Sequence, residues 1–231
     1  IPTIEKVIEL RSTGAIIGSD TIPVLVLSPT RELAAQIAKE SEILLTFLPQ
    51  FKTVTMFGGT NINKDFSHLK GRVDFLVATP GRLLDHMQNH NLKPRLDNLS
   101  VLIMDEADQL LDMGFRPDIE RILNLLERSK PTRQTLLFSA TVPKSVREIA
   151  DMSLRKGYSF VDTVGEEEEQ THKHVKQEVV VVGNEAQIVA IAAVLDQQLA
   201  ATPDAKIMVF FCTARVTQSM ALLFKSMGYP V

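Results

Sequence analysis

A single cysteine, Cys212, stands in a chain of 231 residues. That excludes an internal disulfide framework and any metal knuckle built from cysteines alone. No apolar run approaches the roughly 18 residues that a membrane-spanning helix needs. The opening stretch IPTIEKVIEL has neither the basic start nor the small-residue cleavage site of a secretory signal. Excess positive charge is also missing: 25 Lys and Arg meet 28 Asp and Glu, a formal net charge of −3. A basic tail or a wholly basic nucleic-acid coat is ruled out, though a local basic face is not. No Gly-Lys pair occurs anywhere, so the phosphate-cradling loop G-x-x-x-x-G-K-[ST] is absent.

What is present is a globular balance, 45% apolar and 23% charged, which suits a soluble intracellular protein with a buried core. At roughly 150 residues per domain, the length suggests one domain and part of another. Short apolar runs alternate with amphipathic stretches throughout. The runs predict strands at Pro23–Leu27, Thr53–Phe57, Asp74–Ala78, Val101–Met104, Thr135–Phe138, Glu178–Val182 and Ile207–Phe211. Helices are predicted at Ile1–Arg11, Arg31–Phe47, Pro117–Glu127, Lys144–Met152, Glu185–Leu199 and Ala214–Met227. Runs such as VLIM and TLLF are apolar at successive positions, as in strands covered on both faces. The expected fold is therefore α/β, a doubly wound parallel sheet with helices on both sides. The unbroken run Glu166–Glu169 repels itself and reads as a linker. The expected boundaries are 1–164, an acidic linker at 165–176, and a second unit from 177 to 231.

In open parallel sheets, ligands collect beyond the carboxyl ends of the strands. Several predicted strand ends carry polar turns: Ser28-Pro29-Thr30-Arg31-Glu32-Leu33, Gly58-Gly59, Ala78-Thr79-Pro80-Gly81-Arg82, Asp105-Glu106-Ala107-Asp108 and Ser139-Ala140-Thr141. Each alone has a plainer reading. Thr30 and Thr79 serve as N-caps, Pro80 as a first-turn proline, and Gly58-Gly59 as a tight turn. Their succession, each at a strand end, is harder to assign to capping alone. An apolar strand ending in Asp105 sets a carboxylate where the Mg²⁺ of a bound nucleotide triphosphate can be held through water. Consecutive residues diverge at a strand end, so Glu106 can face an attacking water while Asp105 faces the metal. Arg31 and Arg82 each sit in a helix start, where exposed N–H groups and a guanidinium together suit a phosphate. Contacts of that kind hold a nucleic-acid backbone without reading its sequence. His68, His86 and His90 read as surface or capping residues, and His172 and His174 as a solvent-facing pair. Cys212 and the methionines Met104 and Met208 read as apolar filling.

With these residues assembled, the sequence resembles a DEAD-box ATP-dependent RNA helicase. PTRELA is similar to that family's motif Ia, Gly58-Gly59 to its GG motif, TPGR to motif Ib, DEAD to motif II and SAT to motif III. VFFCT, ending at Thr213, is similar to motif IV of the second domain. The resemblance implies two RecA-like domains that close around ATP, Mg²⁺ and single-stranded RNA and separate short duplexes locally. It implies that Asp105 holds Mg²⁺ through water and Glu106 activates the hydrolytic water. Asp108, with Ser139 and Thr141, would couple hydrolysis to strand separation. Pro29, Thr30, Arg31, Gly59, Thr79, Gly81, Arg82 and Thr213 would contact the RNA backbone. Thr171–Gln177 resembles the interdomain junction of organelle-type and plant members.

The departures from the family pattern read as a piece cut at both ends. The phosphate cradle, the adenine-reading Q motif, the arginine finger and motif VI are all missing. The chain alone is therefore expected to hydrolyse no ATP. Two other readings remain open on sequence: a DNA helicase of the same superfamily, and a non-catalytic RNA-binding or regulatory module. A further expectation is that the missing cradle strand leaves a gap inside the sheet. Unsatisfied buried groups flanking such a gap, at about 1–3 kcal/mol each, would rival a net stability of roughly 5–15 kcal/mol.

Overall fold

The computed structural model describes residues 1–15, 20–163 and 176–231, which gather into two units, Ile1–Val161 and Asp162–Val231. The run Glu166–Glu169, most of the expected linker at 165–176, and both His172 and His174 lie outside the described residues. No described helix is long and apolar enough to cross a membrane.

In the first unit, the predicted runs become β1 (Val24–Leu27), β2 (Thr53–Met56), β3 (Phe75–Ala78), β4 (Val101–Met104) and β5 (Gln134–Leu137). All pair in parallel, in the order β2-β3-β1-β4-β5. Successive side chains point to opposite faces, so each run feeds two cores. Val24, Val26, Phe75, Val77 and Val101 pack on one face with Val7 of α1 (Pro2–Ser12) and with Ala34 and Ala38 of α2 (Arg31–Leu44). Leu25, Leu27, Leu76, Leu102 and Met104 pack on the other. There they meet α4 (Pro80–Asn89), α6 (Ala107–Asp112), α7 (Arg116–Leu125) and α8 (Lys144–Ser153). Two short helices complete the unit, α3 (Ile62–Leu69) and α5 (Lys93–Leu96). Helices on both faces explain why the strands are apolar at consecutive positions.

The expected gap in the sheet is not there. β4 and β5 pair directly, Val101 with Gln134 through Met104 with Leu137. The sheet is contiguous, and β5 is an edge strand whose residues are half-buried or exposed. No unpaired row lies inside the sheet; the unpaired backbone groups of β5 stand at its outer edge.

In the second unit, a 3₁₀ turn (Asn184–Ala186) leads into α9 (Gln187–Ala201), and α10 (Ala214–Ser226) follows. Ala192, Leu195 and Phe224 form its small core. Tyr229 closes it, with its ring 5.5 Å from that of Phe224 and its hydroxyl donating to Asp196 Oδ1 at 2.6 Å. The strands predicted at Glu178–Val182 and Ile207–Phe211 do not form. Val180–Val182 and Ile207–Val209 instead line a trough of about 610 Å³ over α9. Neither segment joins a ladder among the described residues. Met208 is accordingly 77% exposed, and Cys212 is exposed too, not buried as the sequence suggested.

Burial sets the expected response to mutation. Leu102→Ala, at a fully buried position, should lower stability by about 2–5 kcal/mol in urea denaturation. Val181→Ala, at a position 91% exposed, should change it by no more than about 0.5 kcal/mol.

Candidate functional site

Every strand of the sheet is four residues long and in level register, so Leu27, Met56, Ala78, Met104 and Leu137 end on one line. Backbone hydrogen bonds carry this alignment one residue further. Ser28 N–H donates to Ala78 O at 3.0 Å, Thr79 N–H to Met56 O at 3.0 Å, Asp105 N–H to Leu27 O at 3.0 Å and Phe138 N–H to Met104 O at 2.9 Å. Pro29, Thr30, Arg31, Gly59, Thr79, Gly81, Arg82, Asp105, Glu106, Asp108, Ser139 and Thr141 thus all belong to loops or first helical turns at one rim of the first unit. Thr213 lies in the second unit as the N-cap of α10, its hydroxyl accepting from Val216 N–H at 3.2 Å.

At the end of β4, Asp105 is half-buried and one of its carboxylate oxygens accepts from Glu106 N–H at 3.0 Å. Glu106 is exposed and left-handed, with φ 47° and ψ 56°. Only Asn91 shares a positive φ among the described non-glycine residues. Such a conformation is strained for a residue with a Cβ and persists where its surroundings impose it. It turns the chain sharply into α6, so that Asp105 and Glu106 diverge. Asp108 follows in the first turn of α6 and ties two strand ends together. Its Oδ2 accepts from Thr141 N–H at 3.0 Å and from the Thr141 hydroxyl at 2.8 Å. Its own N–H donates to Ser139 Oγ at 3.2 Å, and that hydroxyl donates to Thr141 O at 2.6 Å. Burial works against the Asp108 charge. Hydrogen bonds from the Thr141 hydroxyl, Gln109 N–H, Thr141 N–H and Ser139 outweigh it and hold the carboxyl below the ordinary range.

Beyond β1, Thr30 caps α2 by accepting from Leu33 N–H at 3.1 Å. Thr79 occupies the same place before α4, with Pro80 in the first turn, but its side chain makes no capping hydrogen bond, so side-chain capping is seen at Thr30 and not at Thr79. Gly59 has φ +79°, and a Cβ built on it would lie 2.5 to 2.7 Å from the Arg31 guanidinium. The positive φ of the turn requires the second glycine, while a Cβ there would also push the Arg31 guanidinium off the turn. Arg82 is turned inward. Its side chain is 13% exposed, its Nε lies 3.0 Å from Asp65 Oδ2, and a terminal nitrogen donates to the Thr60 carbonyl and, at 3.3 Å, to the Thr60 hydroxyl.

Sequence reasoning missed Asp65 and placed His86 on the surface. The structure buries His86 completely, with Nε2 3.1 Å from the same Asp65 oxygen. The helical spacing of Leu83, Leu84, His86 and Met87 on α4 was the available signal, since it turns His86 toward the core. Burial lowers the His86 pKa; the hydrogen bond to Asp65 and its charge oppose this, while His90 and Arg82 add to it. A neutral ring beside an ionised carboxylate must carry its proton on Nε2, which leaves Nδ1 buried without a hydrogen-bond partner among the described residues.

Level strand ends, a carboxylate pair at the end of β4 and an Asp108–Thr141 link to β5 together form the rim. A family model described as DEAD/DEAH box helicase matches residues 1–149. The chain belongs to that family. The DEAD-box ATP-dependent RNA helicase 26 of Oryza sativa subsp. japonica is 42% identical over 216 residues, covering 93% of this chain and 39% of its own length. The helicase 31 of the same plant is 42% identical over 229 residues, covering 98% of this chain and 41% of its own. Among solved structures, the DEAD-box helicase Mss116 bound to single-stranded RNA and UDP-BeF superposes with a TM-score of 0.82 at 27% identity, covering 98% of this chain and 46% of that one. The fold is thus the RecA-like one of DEAD-box helicases. The chain spans 27% to 41% of the length of the curated relatives it matches.

The family implies Mg²⁺ with its nucleotide. No cluster of three metal-ligating side chains occurs among the described residues. A half-buried carboxylate with one oxygen already bonded suits an ion held through water and coordinated mainly by phosphates. Asp105 fits that role.

His86 also sets an expected pH dependence. Asp65 and Phe66 of α3, Arg82 and Asp85 of α4, and His90 at the C-cap of α4 surround or flank it. Its folded value lies below the ordinary one, so stability is full above about pH 6.5 and is lost as pH falls through the lowered value. Urea midpoints from pH 7.5 to 5 should show this loss, and His86→Gln should lack that component.

Proposed function

We propose that the protein carrying this chain couples ATP binding and hydrolysis to clamping of single-stranded RNA and local separation of short duplexes. One observation carries the reading: the Asp105-Glu106 pair and Arg31 follow adjacent strands, β4 and β1, with Leu27 paired to Met104, and the Arg31 guanidinium lies on Gly59 beyond β2 at the same rim. A nucleotide and a ribose-phosphate chain can then be held by one rim. The relatives' RNA helicase names and the RNA-bound Mss116 structure support it.

In this reading the first unit is a RecA-like ATP-binding domain, and residues from 177 begin a second, joined by the acidic linker. Asp105 would hold Mg²⁺ through water, and that ion would neutralise phosphate charge when bound. Glu106 would accept a proton from the attacking water. Asp108, bonded to Ser139 and Thr141, would transmit a shift of the β4 end to the β5 end. Pro29, Thr30, Arg31, Gly59, Thr79, Gly81 and Arg82 would hold the RNA backbone through helix-start N–H groups and guanidinium charge, with Thr213 contributing from the second unit. An intracellular setting suits the single exposed cysteine.

The test is fluorescence anisotropy of labelled single-stranded RNA with the chain at several salt concentrations. Arg31→Ala should weaken binding to a similar extent for different base sequences. It should also reduce the salt slope by about 0.7, the value for one phosphate on a single strand. Unchanged affinity, or binding that depends strongly on base sequence, would overturn the reading.

A further inference from the structure

We infer that Asp65 and His86 are positioning residues for RNA binding, which act through Arg82 to set the Gly58–Thr60 turn beneath Arg31. The inference rests on the RNA-binding reading above and adds two residues that lie outside every motif in the sequence.

The contacts form one chain. His86 has no exposed surface and is wedged between two rings, 5.4 Å from Phe66 and 5.1 Å from His90. It cannot swing, so its Nε2–H is a fixed donor 3.1 Å from Asp65 Oδ2. That bond sets the rotamer of Asp65, whose side chain is 4% exposed. The buried carboxylate then draws the Arg82 guanidinium inward, with Nε 3.0 Å from the same oxygen. The contact is an ion pair and not a hydrogen bond, because the buried Nε–H has no aligned acceptor. The far end of the guanidinium holds the carbonyl and hydroxyl of Thr60. Thr60 directly follows Gly59, and the Arg31 guanidinium lies on Gly59.

Stability alone is a poor reason for this arrangement. Burying a carboxylate, a guanidinium and an imidazole between α3 and α4 is often no better than apolar packing of similar volume. The best-attested use of such a group is to select one geometry among several. The geometry selected here is that of an exposed turn, Gly59 and Thr60 both being at the surface. Arg82 therefore sets one nitrogen against Asp65 and uses another to hold a loop.

Sign distinguishes this role from simple electrostatics. Removing a negative charge beside a phosphate site should tighten RNA binding if charge were the whole effect. Removing a positioning group should weaken it. The experiment is anisotropy with a labelled oligouridine on the chain and its variants, with a thermal melt of each. Asp65→Asn is expected to weaken binding roughly tenfold, the size of one charge-assisted contact. Asp65→Asn placed on Arg82→Ala should add nothing, since both act along one path. His86→Gln keeps an N–H toward Asp65 and should bind as wild type does, whereas His86→Leu should follow Asp65→Asn.

Equal or tighter binding by Asp65→Asn, additive losses in the double variant, or an unaffected His86→Leu would each overturn the inference. If Asp65→Asn melts below the assay temperature, the His86→Gln and His86→Leu pair decides alone. A wild-type chain that fails to bind RNA sinks the RNA reading and this inference with it. Wild-type binding with indifferent variants sinks the inference only.

Discussion

A parallel sheet whose strands all stop together creates a straight polar rim, because the backbone groups beyond the last pair need partners and the side chains there have no neighbouring strand to pack on. In this chain the four-residue strands align without offset. Slipping β4 by one residue against β1 would exchange its two faces. Leu102 and Met104 would leave one core, and Asp105 would swing to the other side of the sheet. Hydrophobic pairing deep in the sheet thus fixes where a carboxylate stands at its edge, and the rest of the rim depends on it.

Around that constraint the rim is joined sideways by polar contacts. Asp108 joins the end of β4 to the end of β5 through Thr141 and Ser139. Arg31, Gly59, Thr60 and Arg82 join the loops after β1, β2 and β3. The two groups meet at the adjacent strands β1 and β4, where Asp105 N–H bonds to Leu27 O. A ligand that pulls on one group has a short, hydrogen-bonded route to the other. The strained Glu106 stands beside that junction, where a small change in the turn would redirect its carboxylate.

The five strands of the first unit and the motif loops were legible in the sequence because burial on both faces leaves unbroken apolar runs. Ends shifted by one residue, as at Pro23 and Phe138, which still share backbone hydrogen bonds with Val101 and Met104 just outside the assigned strands. The same rule failed for Glu178–Val182 and Ile207–Phe211. An apolar run becomes a strand only if another segment reaches ladder distance, and sequence pattern carries no such information. Strand order was likewise invisible, so an interior gap was expected where the described strands in fact pair without a break. His86 was misplaced because polarity was weighed at one position, whereas its helical neighbours faced the core. Asp65 carried no local signal: its role comes from partners 17 and 21 positions further along the chain, Arg82 and His86.

The competing surface is the opposite rim, at the amino ends of the strands, where Lys52, Lys70 and Arg72 also gather positive charge around Asp74 and the loop carbonyls. Photo-crosslinking of the chain to RNA containing 4-thiouridine, with the linked peptides read by mass spectrometry, compares the two rims directly. Crosslinks are expected in the peptides holding Pro29–Arg31, Gly58–Thr60 and Thr79–Arg82. Crosslinks concentrated at Lys52 and Lys70–Arg72 would contradict the assignment of nucleic acid to the carboxyl ends of the strands.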